Sequence, residues 1–379
     1  MKIALRRWSA FVPLLPVVLL ASCTIPVAPP EALAPPMGHS KLLSAQDRLE
    51  LQDWGLKFLW RHDLGQLSAS RPLKDIFSCG KFVVVEADKG EIHCINSGTG
   101  VWKATAVLRD SLERPPTAFG DRLYLVVNDE LFTFETASDR LSAGHDPGFP
   151  LSTAPLTYKD KVVLVGTNGF LSLLPLAGGE PRWLVSLDGA IFEQPVLDGD
   201  VLYASSSVGN MVLAWDLGKD HEMWQWSPRA PSRISSGVGV EGGSVYVGDN
   251  LGFIHALKAG TGEESWKVML EAPVVGKITV AGSKVLVLTD KPSLVCLSAA
   301  DQRQLLWHYD GVVRVLTIGK QVAYVLKDNH SVAAVNLDTG KEMWSDPLGP
   351  NCKVAGDAYV PAFYIATSQG SIVAFKELD

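Results

Sequence analysis

A glycine-rich segment is the first candidate for chemistry in this sequence. Residues 237–242 read GVGVEG, a literal G-x-G-x-x-G. That pattern binds a dinucleotide pyrophosphate when it opens a helix whose first backbone amides face the phosphates. Here residues 244–247 continue with the alternating pattern of a strand. We therefore interpret the segment as a turn between repeated units and predict no nucleotide site.

Histidines, which could bind a metal or act as acid and base, are scattered singly. There are eight of them, and the sequence contains no HExxH, P-loop or GxSxG motif. His93 and His255 occupy matching places in two similar sequence units, as residues at a structural position would. We therefore expect no metal site and no catalytic residue.

The five cysteines divide into one near the amino end and four further along. Cys79 and Cys94 flank one predicted hairpin, but they are out of register by about 13 Å along the strand, beyond the reach of a disulfide. A bond between Cys79 and Cys352, which would join the first and last units, is compatible with an oxidising compartment. The alternative is that all four are buried free thiols: Cys79, Cys94, Cys296 and Cys352.

Residues 1–22 have the three-part layout of a secretory signal peptide. A basic start precedes an apolar run from Ala10 to Ala21 and a small-residue junction. That run is too short to cross a bilayer, since a spanning helix needs about 20 residues. Residues 20–23 (LASC) resemble a bacterial lipobox, which implies cleavage before Cys23 and lipidation of that cysteine. An ordinary signal peptide followed by a chance cysteine is the alternative.

Residues 23–53 follow as a proline-rich tether with a short helix predicted near its end. The prolines before Ser40 stand among almost uncharged residues, and at about 3.1 Å per residue this stretch would reach on the order of 50 Å. The capping-box spacing of Ser44 and Asp47 favours a short helix within residues 42–54. Because Thr24 rather than Asp follows the lipobox cysteine, the resemblance implies an anchor in the outer membrane that faces the periplasm.

The chain is acidic, with 34 Lys and Arg against 41 Asp and Glu and a formal net charge of -7. Loss of the basic leader would make it more negative. Nucleic-acid binding depends on clustered basic side chains that neutralise phosphates, and the sequence has no basic block. We therefore expect no nucleic-acid partner.

A repeat of about 41 residues occupies the rest of the chain. Its marker is a tryptophan that recurs at one or two periods, at Trp60, Trp102, Trp183, Trp224, Trp266, Trp307 and Trp344. The best-preserved unit, residues 244–266, predicts three strands joined by tight turns at residues 250–252 and 261–262. A further short apolar segment between units supplies a fourth strand. Four strands in a unit of this length are typical of a β-propeller blade.

The hairpins of the repeat predict eight blades in one ring over residues 54–379. The last unit, residues 354–375, lacks a tryptophan strand, whereas residues 56–60 are a tryptophan strand with no unit before it. We predict that this strand completes the eighth blade, because closure removes the exposed sheet edges of an open array. The predicted fold is all-β: an eight-bladed propeller with four antiparallel strands per blade, closed by its amino-terminal strand.

The repeat resembles that of quinoprotein-like, or PQQ-repeat, propellers. Residues 334–344 (AVNLDTGKEMW) closely resemble their A-x-D-x-x-T-G-x-x-x-W docking repeat, and residues 256–266 match it apart from the Asp. In that family the Trp side chain lies between blades, stacked on the neighbouring backbone. The resemblance therefore implies a docking role for the seven repeated tryptophans.

The lipobox, the tether and the single eight-bladed ring together resemble the BamB family of the outer-membrane β-barrel assembly machinery. This resemblance implies a non-enzymatic scaffold that docks BamA through its POTRA domains and needs no cofactor. Pyrroloquinoline-quinone dehydrogenases share the ring, but their sites use adjacent cysteines, which this sequence lacks. The alternative is a periplasmic propeller enzyme or small-ligand-binding protein that uses the central channel.

The BamB family contacts BamA through a Leu-x-Leu-Arg segment after the third blade's Trp and an Asp-x-Asp in the following interblade loop. The corresponding residues 185–188 (VSLD) and 232–234 (SRI) carry Asp where Arg is expected and Arg where acids are expected. The sign of surface charge influences the choice of partner. We expect a partner-facing patch, since exposed aromatic and Arg residues commonly anchor interfaces: Leu187, Asp188, Trp226, Arg229 and Arg233. The alternative is that Trp226 packs under a loop beside solvated arginines.

Overall fold

The computed structural model describes residues 40–44, 48–65, 72–176, 179–187, 189, 191, 193–299 and 304–378. The predicted signal peptide, Cys23 and the proline-rich part of the tether lie outside these residues. Two short helices, α1 (Lys41–Ser44) and α2 (Arg48–Asp53), precede the first strand, β1 (Leu56–Asp63). They lie in the region where the sequence predicts one short helix.

The next sixteen strands build blades one to four. Blade one contains β2 (Leu73–Cys79), β3 (Phe82–Ala87), β4 (Glu91–Asn96) and β5 (Trp102–Val107), with a 3-10 turn at Asp88–Gly90. Blade two contains β6 (Thr117–Phe119), β7 (Arg122–Val127), β8 (Glu130–Glu135) and β9 (Arg140–Leu141). Blade three contains β10 (Leu156–Tyr158), β11 (Lys161–Val165), β12 (Phe170–Pro175) and β13 (Arg182–Ser186). Blade four contains β14 (Val196–Asp198), β15 (Val201–Ser206), β16 (Met211–Asp216) and β17 (His221–Trp226).

A short strand, β18 (Ser236–Gly237), precedes blade five. Blade five contains β19 (Gly239–Glu241), β20 (Ser244–Gly248), β21 (Phe253–Lys258) and β22 (Glu264–Met269). Blade six contains β23 (Val274–Ala281), β24 (Lys284–Thr289), β25 (Ser293–Ser298) and β26 (Leu305–Asp310). Blade seven contains β27 (Val312–Ile318), β28 (Val322–Lys327), β29 (Ser331–Asn336) and β30 (Glu342–Pro347). Blade eight contains β31 (Lys353–Gly356), β32 (Ala362–Ala366), β33 (Ser371–Glu377) and β1.

Each blade is an antiparallel sheet whose strands follow chain order, except that β18 adds to blade six by pairing in parallel with β23. In blade eight, β1 pairs with β33 from Leu56 opposite Glu377 to Asp63 opposite Ser371. The amino-terminal strand therefore supplies the outer strand of the last blade. The predicted eight-bladed, all-β propeller closed by this strand is confirmed.

The core lies between the blades. Every residue of β3, the second strand of its blade, is buried, whereas the outer strand β5 alternates between buried and exposed positions. A strand covered on both faces reads as a continuous apolar run, and an edge strand alternates. The described residues contain eight buried hydrophobic clusters, one for each pair of adjacent blades. The cluster that joins blades eight and one includes Trp60, Val83 and Ala374, so the ring closes through side chains as well as backbone.

Several repeated tryptophans pack on a turn of the following blade. In three cases the indole Nε1 donates a hydrogen bond of 2.8 Å to a backbone carbonyl of that blade: Trp60 to Ser97, Trp224 to Ala259 and Trp307 to Leu337. A Cβ atom added to Gly262 would lie 2.6 Å from the ring of Trp224. The glycine of the Thr-Gly turn therefore permits the close approach of the ring. Trp266 is also buried, and Trp183 lies on β13, its side chain outside the described set.

Trp102 departs from the predicted docking role. Its side chain is 46% exposed, and its Nε1 donates to Oγ1 of Thr105 on the same strand, 3.2 Å away. Blade two has no Thr-Gly turn to receive the ring, because residues 136–139 read TASD and β9 is only two residues long. Trp102 therefore lacks the surface on which its counterparts pack.

Blade eight has no turn of its own to cover Trp344, and the segment before β1 takes that place. Trp54 stacks on Trp344 with ring centroids 4.8 Å apart and an interplanar angle of 15°. The Nε1 atom of Trp344 donates to the carbonyl of Trp54 at 2.9 Å. Leu42 and Leu51 are buried in the cluster between blades seven and eight.

The same segment is fixed at its start by a buried carboxylate. Asp346, 2% exposed on β30, accepts hydrogen bonds from the hydroxyl of Ser40 (2.5 Å) and from the backbone amides of Lys41 (2.8 Å) and Leu42 (3.1 Å). We call residues 40–54 the amino-terminal clasp, because they join blade seven to the strand that closes blade eight.

All four cysteines after Cys23 are free thiols. Cys79 and Cys94 belong to the cluster between blades one and two, whereas Cys352 packs against the cluster between blades seven and eight. Of the two alternatives left open by the sequence, the structure therefore has unbonded thiols. Burial raises the pKa of Cys94 and of Cys296 to about 12, so both are neutral near pH 7.

The G-x-G-x-x-G segment runs through β18 and β19 and ends in a turn at Gly242 and Gly243, with φ of 61° and 77°. The chain then enters β20. The interpretation of the whole segment as a turn is therefore wrong, since Gly237 lies in β18 and residues 239–241 form β19. The strand predicted after the glycines is present, and no helix begins there to face a pyrophosphate.

Candidate partner-binding surface

The predicted patch lies at one end of the propeller. Because the strands are antiparallel, the turn between the second and third strand of each blade lies at the same end as the loop that leads to the next blade. We call this the loop end. Residues 187–195 connect blades three and four there, and residues 227–235 connect blades four and five.

Leu187 is not available to a partner, which corrects the sequence prediction. It is fully buried in the cluster between blades three and four, and its amide donates to the carbonyl of Gly169 at 3.0 Å. Leu187 thus fills the core beneath the turn of blade three, whereas its place in the segment that corresponds to the family's Leu-x-Leu-Arg had led us to expect it on a partner-facing surface. Asp188 lies outside the described residues.

Trp226 ends β17 and packs on a histidine of blade five. Its ring centroid is 4.9 Å from that of His255 at an angle of 56°, and the ring centroid of Phe253 is 6.2 Å from that of the same histidine. Trp226 is half-buried. Elements of both alternatives are therefore present: the indole packs on a neighbour, and part of it remains open to solvent.

His255 has a structural setting. It is 3% exposed, with Nδ1 2.8 Å from Oε2 of Glu264 and Nε2 3.2 Å from Oδ2 of Asp249. The other oxygen of Asp249 accepts the amides of Leu251 and Phe253 at 2.9 and 2.8 Å. This network fixes the turn of blade five and the aromatic side chains around it.

His93, at the matching place in blade one, has different partners. Its Nδ1 lies 3.2 Å from Oγ1 of Thr105, and its Nε2 lies 3.5 Å from a carboxylate oxygen of Glu91. Within the part of the chain that the structure describes, no three His, Cys, Asp or Glu side chains are grouped so that they could hold a metal ion.

Arg229 and Arg233 are exposed on the loop between blades four and five. Among the described residues, neither forms a side-chain ion pair with an acidic group. Lys267, on the adjacent strand β22, lies 5.1 Å from the centroid of Phe253. Three cationic residues therefore lie on this loop and on the adjacent strand β22.

The sequence analysis missed the apolar residues beside this group. Leu251 lies in the turn of blade five and Met269 pairs with Phe253 across neighbouring strands; their side chains are 40% and 65% exposed. A leucine at the centre of a tight turn, where polar residues and glycine are usual, was the available signal. We call the exposed group the loop-end patch: Trp226, Arg229, Arg233, Leu251, Phe253 and Met269.

The first strands of the blades and the loops before them carry partly buried charged residues of opposite sign. Desolvation raises the pKa of Glu193 and lowers that of Lys277, while the charge of each favours the ionised form of the other. Desolvation also lowers the pKa of Arg314, opposed by the charge of Asp75, and the guanidinium of Arg314 donates to the carbonyl of Val354. Glu193 precedes blade four and Lys277 lies in blade six, whereas Arg314 and Asp75 lie in blades seven and one, so each pair of opposite charges links blades that are not adjacent in the ring.

No helix in the described ranges is long and apolar enough to cross a membrane.

Comparison with known proteins identifies the family of the chain. A family model described as "Outer membrane protein assembly factor BamB" matches residues 57–225 and 211–376. The BamB of Shewanella oneidensis is 22% identical over 260 residues, which is 61% of this chain and 65% of that protein, just under two thirds of its length. The BamB of Burkholderia pseudomallei is 25% identical over 318 residues, covering 74% of this chain and 80% of that protein.

A solved structure supports the fold. The crystal structure of BamB from Moraxella catarrhalis superposes with a TM-score of 0.67 at 14% identity, covering 85% of this chain and 97% of that one. At this identity the likeness concerns architecture. The family model, by contrast, matches sequence along nearly the whole ring, and on that ground the chain belongs to the family of outer membrane protein assembly factor BamB, a family of PQQ-repeat propellers.

Proposed function

We propose that this chain is a non-enzymatic scaffold of outer-membrane β-barrel assembly that docks the POTRA domains of BamA through its loop-end patch. Membership of the BamB family supports the assembly role. The observation that carries the docking site is the grouping of exposed Arg229 and Arg233 with Trp226 between blades four and five. Arginine and tryptophan are enriched among the residues that dominate protein interfaces.

The charge of the patch indicates the chemistry of the partner surface. The chain carries a net charge of -7, whereas the patch and its neighbour contribute Arg229, Arg233 and Lys267. A local basic group on an acidic molecule favours approach by an acidic surface and disfavours a basic one. We infer that the patch meets an acidic region of the partner. Asp188 remains a proposed member of the same surface.

We further propose that residues 1–22 are a signal peptide, that Cys23 carries the lipid, and that residues 23–39 tether the amino-terminal clasp and the propeller to the periplasmic face of the outer membrane. Two or more acyl chains are sufficient for stable anchoring. Membrane fractionation tests this: Cys23→Ser should move the protein into the soluble periplasmic fraction. A variant that stays in the outer membrane would overturn the lipid anchor.

Affinity purification of the full-length protein from solubilised outer membrane tests the docking proposal. Wild type should recover BamA, and Arg233→Asp should reduce the recovery by about tenfold because it reverses a charge inside the patch. Arg140→Asp is the matched control, since it makes the same change at an exposed position at the opposite end of the ring, on blade two. Equal recovery with Arg233→Asp would contradict the assignment of the patch. A purification that yields no barrel protein but a bound small molecule would instead favour the ligand-binding alternative in the central channel.

A further inference from the structure

The backbone that carries Arg233 is held from the blade-five side. The side-chain Oδ1 of Asn250 accepts the amide of Arg233 at 2.9 Å, and the amide of Asn250 donates to the carbonyl of Arg233 at 2.9 Å. Both backbone groups of this loop residue are therefore bonded to a single residue in the blade-five turn. Loops that carry exposed binding residues rarely have both groups fixed by another element, because they commonly run over solvent.

A second asparagine holds the same loop from the blade-four side. Asn210 donates through Nδ2 to the carbonyl of Ser232 at 3.0 Å and accepts the amide of Ile234 through Oδ1 at 2.9 Å. Asn210 has φ of 53°, a left-handed conformation that asparagine adopts more readily than most residues. Ile234 is 2% exposed and packs into the cluster between blades four and five. The backbone of residues 232–234 is thus bonded to blade four and to blade five, and the side chain of Ile234 is buried between these blades.

The side chain of Arg233 nevertheless points its charge to a solvent-exposed surface. A guanidinium binds a carboxylate through paired, charge-assisted hydrogen bonds whose geometry is demanding. Ordering a loop upon binding costs free energy, and a loop that is already ordered avoids this cost. A fixed backbone beneath an exposed arginine is therefore the arrangement expected of a preformed anchor for an anionic group.

We propose that Asn210 and Asn250 are positioning residues that hold Arg233 as a preformed anchor for a carboxylate side chain of the docked protein. The proposal rests on the proposed function, because it uses the same patch, and it adds which partner chemistry meets Arg233 and which residues prepare it. Trp226 and Leu251 flank the loop and supply apolar surface against which a partner can exclude water from the ion pair.

The first test uses the free protein and needs no partner. Asn250→Ala should speed hydrogen exchange at the amide of Arg233, and Asn210→Ala should speed it at the amide of Ile234, each by about fivefold or more. Asn250→Asp should retain slow exchange at Arg233, because a carboxylate oxygen can still accept the amide. Asn210→Asp should weaken the contact to Ser232, because the donor Nδ2 is lost.

The second test measures binding to purified POTRA domains of BamA from the same organism by titration calorimetry. Asn250→Ala should weaken binding by about fivefold, because the anchor is no longer held before the encounter. In an Arg233→Ala background the same substitution should have no further effect, which a general loss of structure would not produce. Asn329→Ala is the matched control: Asn329 lies in the equivalent turn of blade seven, where its Oδ1 accepts the amide of Ser331 within the turn at 3.1 Å.

The outcomes separate the two proposals. Unchanged exchange at Arg233 and Ile234 in the alanine variants overturns the positioning role, whether or not the protein binds BamA. Equal weakening by Asn250→Ala with and without Arg233 also overturns it. If the wild-type protein does not bind the POTRA domains, the proposed function fails and the carboxylate anchor fails with it; the exchange data then identify the failure as one of partner choice and not of loop geometry.

Discussion

A tryptophan ring packed against a glycine turn is the smallest unit on which the blade contacts depend. The ring buries a large apolar area while its N–H needs an acceptor, and the carbonyl of the next blade supplies one. Trp224 and Trp102 stand at equivalent places in the repeat, yet the first is buried against Gly262 and the second is exposed on β5. The residue type alone does not decide the role; the turn that faces it does.

The two tryptophans therefore give a matched pair of substitutions. Trp224→Phe should lower the free energy of unfolding by about 1–3 kcal/mol, because the buried carbonyl of Ala259 loses its shorter hydrogen bond and keeps only that from the hydroxyl of Tyr203 at 3.3 Å, and because part of the ring volume is left empty. Trp102→Phe should change it by no more than about 0.5 kcal/mol, as expected of a largely exposed position. Urea denaturation followed by circular dichroism measures both. Equal losses from the two variants would contradict the docking interpretation.

The amino-terminal clasp covers the tryptophan of blade seven, as a turn of the following blade does for other repeated tryptophans. In blades one, five and seven, a turn between the third and fourth strands covers the tryptophan of the preceding blade. In blade eight these strands, β33 and β1, come from opposite ends of the chain, so no turn connects them. Trp54, which follows α2, covers Trp344 in its place, and Asp346 accepts a hydrogen bond from the first residue of α1.

Removing the carboxylate should release the clasp. Asp346→Ala deprives three donors of their acceptor, and hydrogen bonds to charged groups are each worth about 1.5–3 kcal/mol. We expect faster tryptic cleavage after Lys41 and Arg48 than in the wild-type protein, measured by mass spectrometry over time. Asp338→Ala on the same blade removes only an exposed ion pair with Lys284 and should leave cleavage unchanged. A clasp that stays resistant in Asp346→Ala would show that apolar packing of Leu42 and Leu51 suffices.

The whole molecule is a closed ring of interfaces in which each blade is supported by two neighbours. The cluster between blades eight and one depends on Trp60 of β1, whose indole also bonds to Ser97 of blade one. Opening the ring at β1 would expose the edge of β33 and the blade-one surface together. An uncovered sheet edge is a template for pairing with another chain.

Two deletions test closure at this scale. A chain that starts at Leu64 lacks β1 and should unfold at lower urea concentration and form oligomers through the exposed edge of β33. A chain that starts at Ser40 keeps both the clasp and β1 and should behave as the full propeller does. Size-exclusion chromatography with light scattering, together with urea denaturation, distinguishes them. A monomeric chain with an unshifted midpoint after loss of β1 would contradict the role of closure.

The repeat is visible in the sequence alone, and it is sufficient to predict an eight-bladed propeller. Strand alternation and turn residues are local signals, and a repeat displays them eight times, so errors in one unit do not hide the pattern. Closure by β1 followed from the same repeat, because the first and last units were complementary fragments. These inferences needed only the order of residues along the chain.

The roles of individual residues follow from contacts between blades that the sequence does not show. Leu187 and Arg233 both lie in loops between blades at the loop end. Leu187 fills the core and Arg233 is exposed, because burial depends on what the neighbouring blade places against each residue. The hydrogen bonds of Asn210 and Asn250 to the backbone of residues 232–234 join three separate segments of the chain. Local sequence patterns do not predict such contacts, because the contacts form only when the blades lie side by side in the folded ring.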